Sequence, residues 1–145
     1  MDAIKKILDK KSNRIVTVTT STSVLDALKI MADQNIGSVV VLDAGAYMGI
    51  MTERDYARKI ILAEKKSSET TVGEIMSTNL PHVNPNDKIE YCMKIMDQNH
   101  VRYLPVFDKG VLLGIISVTD LIHEVVEDQK QTISHLQDFI SSNFA

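Results

Sequence analysis

Asp55 and Asp120 occupy the same place in two similar stretches, Gly49-Ile50-Met51-Thr52-Glu53-Arg54-Asp55 and Gly114-Ile115-Ile116-Ser117-Val118-Thr119-Asp120. In each, a hydroxyl residue ends an apolar run and a carboxylate follows three positions later. A Ser or Thr closing a strand is placed to cap a helix, and an acid at the third helical position completes a variant of the capping box. The pattern therefore predicts strand and then helix, with a hydroxyl and a carboxylate held together at the positive end of that helix. Free N–H groups there suit anions, phosphate above all. An ionised Asp only accepts hydrogen bonds, so it can take two hydroxyl donors in charge-assisted bonds. Arg54 falls in the first helical turn, where a cation opposes the helix dipole. It makes more sense beside a polyanion than as a stabiliser.

These two stretches belong to a longer repeat with an offset of 65 positions and no gap. Val24, Ala27, Leu28 and Met31 correspond to Ile89, Cys92, Met93 and Met96, and Val41, Asp43 and Gly45 to Val106, Asp108 and Gly110. Apolar character kept at a fixed offset marks one supersecondary unit used twice. Ile4, Ile7 and Leu8 predict a short amphipathic helix, and the same pattern returns as Val72, Ile75 and Met76, so each repeat begins with a helical lead-in. Arg14–Val18 reads as a strand, while its counterpart at Leu80–Val83 is interrupted by Pro81 and should be short or at an edge. Ser21, Thr22 or Ser23 caps a helix from Val24 to Gln34, and Asn86 or Asp87 caps another from Lys88 to Asn99. Ser38–Leu42 is apolar enough for a strand covered on both faces, and Tyr103–Phe107 is its partner. Asp43-Ala44-Gly45 and Asp108-Lys109-Gly110 predict hairpin turns.

The fold class is α+β: tandem β-α-β-β-α repeats packed sheet to sheet about a pseudo-two-fold axis. The segments are a lead-in at 1–13, a first repeat at 14–66, a linker at 67–79, a second repeat at 80–126 and a C-terminal helical extension at 127–145. In that extension Ile122, Val126, Gln129, Ile133, Leu136 and Ile140 alternate by four and three, a coiled-coil seam with one polar position or a helix wrapping its own domain.

Composition narrows the function classes. A chain of 145 residues with 44% hydrophobic and 24% charged residues is an ordinary globular domain. Its net charge of −3 argues against a sequence-independent nucleic-acid binder. No apolar run is long enough to span a bilayer and no signal peptide opens the chain, so a cytoplasmic location is expected. The single Cys92 reads as a small buried hydrophobe in a reducing compartment. His82, His100, His123 and His135 lack metal-ligand spacing, and neither a Gly-rich phosphate loop nor a nucleophile elbow is present. No catalytic residue and no metal site are expected.

Two copies ending in Gly-apolar-apolar-Ser/Thr-x-x-Asp, with His100-Val101-Arg102-Tyr103-Leu104-Pro105-Val106 and Val72-Gly73-Glu74-Ile75-Met76, resemble the CBS domain, named after cystathionine β-synthase. A pair of these domains forms the unit called a Bateman module, and the resemblance covers roughly residues 14–125. It implies a regulatory module for adenosine-containing ligands: AMP first, ADP or ATP next, S-adenosylmethionine or NADH as alternatives. It also implies a homodimer and a regulated partner protein that the sequence does not name. In the family each site joins the motif of one repeat to the early strands of the other. Carried over, Thr52, Arg54 and Asp55 would face Pro81, His82, Val83, Arg102 and Tyr103. Ser117, Thr119 and Asp120 would join Val16, Thr17, Val18 and Ser38. Arg54, Arg102 and His82 make the Asp55 site the expected better nucleotide site, since the second motif carries no Arg. A ligand-independent dimerisation scaffold is the competing reading.

Overall fold

The computed structural model describes residues 2–11 and 14–144. The elements in order are α1 (Lys5–Lys10), β1 (Thr17–Thr19), α2 (Val24–Gln34), β2 (Ser38–Asp43), β3 (Ala46–Thr52), α3 (Glu53–Tyr56), α4 (Val72–Ile75), α5 (Ile89–Asn99), β4 (Tyr103–Asp108), β5 (Val111–Ser117) and α6 (Val118–Phe144). A π-helical turn, Ala57–Ile61, continues α3. The chain forms two compact units, one of residues 14–80 and one that joins α1 to the residues from Pro81 onward. Among the described residues no helix is long and apolar enough to cross a membrane.

In the first unit a three-stranded sheet runs β1-β2-β3, with β1 parallel and β3 antiparallel to β2. The first strand is shorter than its β-branched run suggests, because ladder pairing begins only at Thr17↔Val40. Ahead of it, the Val16 carbonyl accepts a single bond from Val40 N–H. Val39, Val40 and Val41 are buried, as the unbroken apolar run of β2 predicts. The turn to β3 takes positive φ at both Ala44 (48°) and Gly45 (82°), the geometry of a two-residue hairpin matched to strand twist. Of the candidate caps for α2, Ser23 serves: its Oγ accepts the Asp26 N–H at 3.0 Å. Val18, Val24, Ala27, Met31, Met51 and Ile60 are among the residues that fill the core.

The second unit repeats this with fewer pairings. β4 and β5 form a two-stranded sheet, and the counterpart of β1 shrinks to a single parallel bridge, Val83↔Val106. Its turn has the same positive φ values at Lys109 (51°) and Gly110 (78°). The expected cap of α5 is corrected. The N-cap is Lys88, whose side chain does not cap the helix, and Asp87 turns back to accept the Asn84 N–H at 2.8 Å. Asn35 and His100 end α2 and α5 in the left-handed region, a conformation Asn and His tolerate better than most residues. Cys92 is fully buried, and burial, helped by the negative charge of Asp87, pushes its thiol up to about 12. It behaves as a hydrophobe.

The lead-in helices are exchanged. The helix that precedes the second repeat in sequence, α4, packs into the first unit, where Val72 and Ile75 join the core. The N-terminal helix α1 places Ile4, Ile7 and Leu8 in the core of the second unit. The backbone bonds match: Val72 N–H donates to Thr22 O (2.8 Å), and Ile4 N–H donates to Asp87 O (2.9 Å).

Candidate functional site

At the first strand–helix junction Thr52 is in extended conformation and α3 begins behind it. Its Oγ1 accepts the Asp55 N–H at 3.1 Å, while Asp55 Oδ2 accepts the Thr52 N–H at 3.0 Å and the Thr52 hydroxyl at 3.1 Å. The expected capping box is present, made with Asp instead of Glu. Asp55 is nevertheless more than a cap. Its Oδ1 accepts Ser77 Oγ–H at 2.8 Å and lies 3.0 Å from Lys59 Nζ. Lys59 also donates to the Ile75 carbonyl at 2.8 Å. Both oxygens of a carboxylate only 5% exposed are therefore engaged. Ser77 is held by a bridge of its own, donating its N–H to Ile50 O (2.8 Å) and accepting the Ile50 N–H (3.0 Å). The bridge passes so close to Gly49 that a Cβ there would meet Ser77 O at 2.5 Å.

The second junction has the same frame. Ser117 Oγ accepts the Asp120 N–H at 3.1 Å, and Asp120 Oδ2 accepts the Ser117 N–H at 2.8 Å. The first helical N–H of each junction is also tied down alike, Glu53 to Gly37 O (3.1 Å) and Val118 to Arg102 O (2.9 Å). The surroundings of the carboxylate differ. The position matching Lys59 is Glu124, an acid that cannot pair with Asp120. The cation comes instead from the end of the exchanged lead-in: Lys11 Nζ donates to Asp120 Oδ2 at 2.8 Å and to the Ile115 carbonyl at 2.9 Å. Asp120 is half-buried, and its Oδ1 has no partner among the described residues.

Glu124 is 4% exposed and takes its own cations from α1. Lys10 donates to Oε2 at 2.8 Å, and Lys6 lies 3.0 Å from Oε1 as an ion-pair contact without hydrogen-bond alignment. The hydrogen bond from Lys10 holds the Glu124 carboxyl below its ordinary range, against the opposing effect of burial. Lys6 is pushed up, chiefly by Glu124 and then by Asp2. Asp2, Glu124 and Asp128 could together hold a cation. The Lys6 ammonium already stands among them, 3.1, 3.0 and 4.0 Å from their oxygens. This cluster is an ion-pair network that straps α1 to α6.

The remaining expected residues are scattered in environment. Val18 and Val83 are buried in the two cores. Val16, Ser38, Arg54, Pro81 and Tyr103 are half-buried, and Thr17, His82, Arg102 and Thr119 are exposed. His82 makes an edge-to-face contact with Phe107, with centroids 5.5 Å apart. Val16, Thr17, Val18 and Ser38 lie in the unit of Asp55, whereas Pro81, His82, Val83, Arg102 and Tyr103 lie in the unit of Asp120. Three functional neighbours were missed by sequence reasoning: Lys59, Ser77 and Lys11. An Asp–Lys pair four apart on a helix signals Lys59. Ser77 and Lys11 carry no such local signal.

On the last helix Leu121 is fully buried, but Ile122, Val126, Ile133, Leu136, Phe139 and Ile140 are 42–63% exposed. The seam does not wrap its own unit.

The chain matches the model of the CBS domain twice, over residues 4–62 and 72–127. It is 38% identical over 132 residues to the mitochondrial CBS domain-containing protein CBSX3 of Arabidopsis thaliana, covering 87% of this chain and 64% of that protein, so it spans under two thirds of that relative. It is 31% identical over 118 residues to the CBS domain-containing protein YhcV of Bacillus subtilis, covering 81% of this chain and 84% of that one. Among solved structures, a signal-transduction protein with CBS domains from Burkholderia ambifaria superposes with a TM-score of 0.84 at 42% identity, covering 88% of this chain and 96% of that one.

Proposed function

This chain belongs to the CBS-domain family, with two copies of the domain, and on that premise we propose that it is a non-catalytic regulatory module that binds adenosine-containing ligands and signals their presence to a partner protein. AMP comes first among the ligands, then ADP and ATP, with S-adenosylmethionine and NADH sharing the same adenosine portion. The buried lone Cys92 fits a reducing compartment such as the cytoplasm.

The observation that carries the reading is the Asp120 carboxylate. It sits at the start of a 27-residue helix, and its side chain is 22% exposed, against 6% for Asp55. A ribose diol can donate to that carboxylate from the solvent side. Asp55 offers no comparable oxygen, since Thr52, Ser77 and Lys59 occupy both of its own. Counting cations along the sequence favours Asp55. The greater exposure of the Asp120 carboxylate, 22% against 6%, favours Asp120, and we assign the tighter binding to Asp120.

Calorimetry with adenosine, AMP, ATP, S-adenosylmethionine, NADH and guanosine tests this. Adenosine ligands should bind, guanosine more weakly, and Asp120→Ala should cost roughly tenfold to a hundredfold, the value of one charged hydrogen bond. Binding by none of them would favour the scaffold. Binding untouched by Asp120→Ala would move the site elsewhere.

The exposed α6 seam supports a second property, self-association as a homodimer. β-branched residues at Val126, Ile133 and Ile140 with Leu136 between them are the choices that favour two parallel strands in a coiled coil.

A further inference from the structure

We propose that the exposed stripe of α6 forms a parallel, in-register coiled coil with a second copy of this chain, and that Gln129 sets its direction and register; the inference rests on the self-association reading above. In the heptad, Val126, Ile133 and Ile140 take position a, and Ile122, Gln129 and Leu136 take position d. The five apolar members are 42–57% exposed, and Gln129 is exposed beside them. The row therefore turns away from the unit that carries it. Covering it removes apolar surface from water, the main driving force for association.

Gln129 decides how the row is covered. In a parallel in-register pair each layer joins like positions, so Gln129 meets its own counterpart. An amide holds both donors and an acceptor, and two facing amides satisfy each other. Antiparallel helices join a to d instead. In every antiparallel register that covers the row, Gln129 would lie against Val126, Ile133 or Ile140 of the second copy. A parallel slip of one heptad sets it against Ile122 or Leu136. Each alternative buries amides against hydrocarbon, a cost the in-register pair avoids. The same amide identifies the occupant. A foreign helix would need a polar side chain at that one layer, whereas a second copy carries it at the matching place. Charge agrees. The flanking pairs of the parallel coil, Val125 with Lys130 and Thr132 with Gln137, set no like charges together. From 129 to 141 the formal charges are Lys130 and Asp138 alone, so a partner selected by charge has little to read. Because α6 is one helix from Val118, the coil also brings the two Asp120 motifs to the same end of a shared rod.

The test is disulfide exchange on the full chain, with Val126→Cys and Leu136→Cys prepared separately and mixed in a glutathione buffer. Cys92, the one native thiol, is fully buried. The parallel pair joins like positions and should link each variant to itself. The antiparallel pair that overlaps the whole row sets 126 against 136 and links one variant to the other. Mass spectrometry tells the two products apart. Like disulfides should exceed mixed ones by at least about tenfold, the worth of one unsatisfied amide. Adding Gln129→Leu to both chains should lower that ratio severalfold while the dimer persists. Mixed disulfides in excess, or a ratio that Gln129→Leu leaves unchanged, overturns the proposal. A wild-type dimer in light scattering whose variants form neither disulfide overturns the coil and leaves self-association standing. A monomeric wild type overturns both.

Discussion

Replacing Asp55 by Ala should destabilise the protein far more than replacing Asp120. Four donor groups lose an acceptor: the Thr52 N–H, the Thr52 hydroxyl, the Ser77 hydroxyl and the Lys59 ammonium. They do not count equally. Lys59 is 44% exposed and rehydrates, so its share is at most about 1 kcal/mol. Thr52 is only 9% exposed, and leaving a buried donor unsatisfied costs about 1–3 kcal/mol. Loss of the cap itself is worth about 1 kcal/mol. Because these groups share one carboxylate the losses overlap, and the total should be about 3 kcal/mol, or roughly 10 °C in Tm at this chain length. Asp120→Ala loses the Ser117 N–H bond and the exposed Lys11 pair, about 1–1.5 kcal/mol and roughly 4 °C. Urea unfolding followed by circular dichroism, with the two variants and wild type sharing one m-value, measures the difference. Asp55→Asn keeps an acceptor for the Thr52 N–H and should recover part of the loss. Equal destabilisation by the two Ala variants, or a larger effect at Asp120, would refute the view that Asp55 is chiefly a structural anchor.

Glu124→Gln removes a buried carboxylate whose pKa is lowered by its lysines. Its contribution is therefore present above the ordinary value of 4.5 and is lost as pH falls through the lower folded value. Wild type should be the more stable at pH 7, and the urea midpoints should converge in acid; a gap that persists there would mean that packing rather than charge is at work. Gly49→Ala drives a Cβ into the Ser77 carbonyl at 2.5 Å. It should cost about 1–3 kcal/mol of unfolding free energy in urea titration; a neutral effect would contradict the Gly49–Ser77 contact. Ile133→Asp with Leu136→Asp should convert a dimer to a monomer in light scattering and remove the concentration dependence of Tm that dimerisation confers, while the fold survives, since both side chains are more than half exposed. A monomeric wild type would end the seam proposal.

Much of the architecture was legible along the chain because it is decided within a few residues. Thr52 with Asp55, and Ser117 with Asp120, close their hydrogen bonds across one turn, so hydroxyl and acid at that spacing suffice to place strand end and helix start. Ala44-Gly45 and Lys109-Gly110 set their turns through φ alone. The burial of Cys92 and the apolar stripe of α6 follow from helical periodicity, whereas the exposure of that stripe was settled only by the tertiary structure. Asn86 and Asp87 misled because Asx side chains can equally serve a neighbouring turn, as Asp87 does with Asn84. Tertiary structure alone decided the partners of the two motif carboxylates. A short amphipathic lead-in such as Ile4-Ile7-Leu8 or Val72-Ile75 presents a few apolar contacts that fit either sheet, and nothing in its own pattern addresses one over the other. Once α1 and α4 are exchanged, Ser77 and Lys11 arrive at Asp55 and Asp120 from 22 and 109 positions away. Capping is a property of adjacent dihedrals. Which ammonium reaches which carboxylate depends on the path of the whole chain, and that path is set by where each lead-in finds an apolar surface to bury.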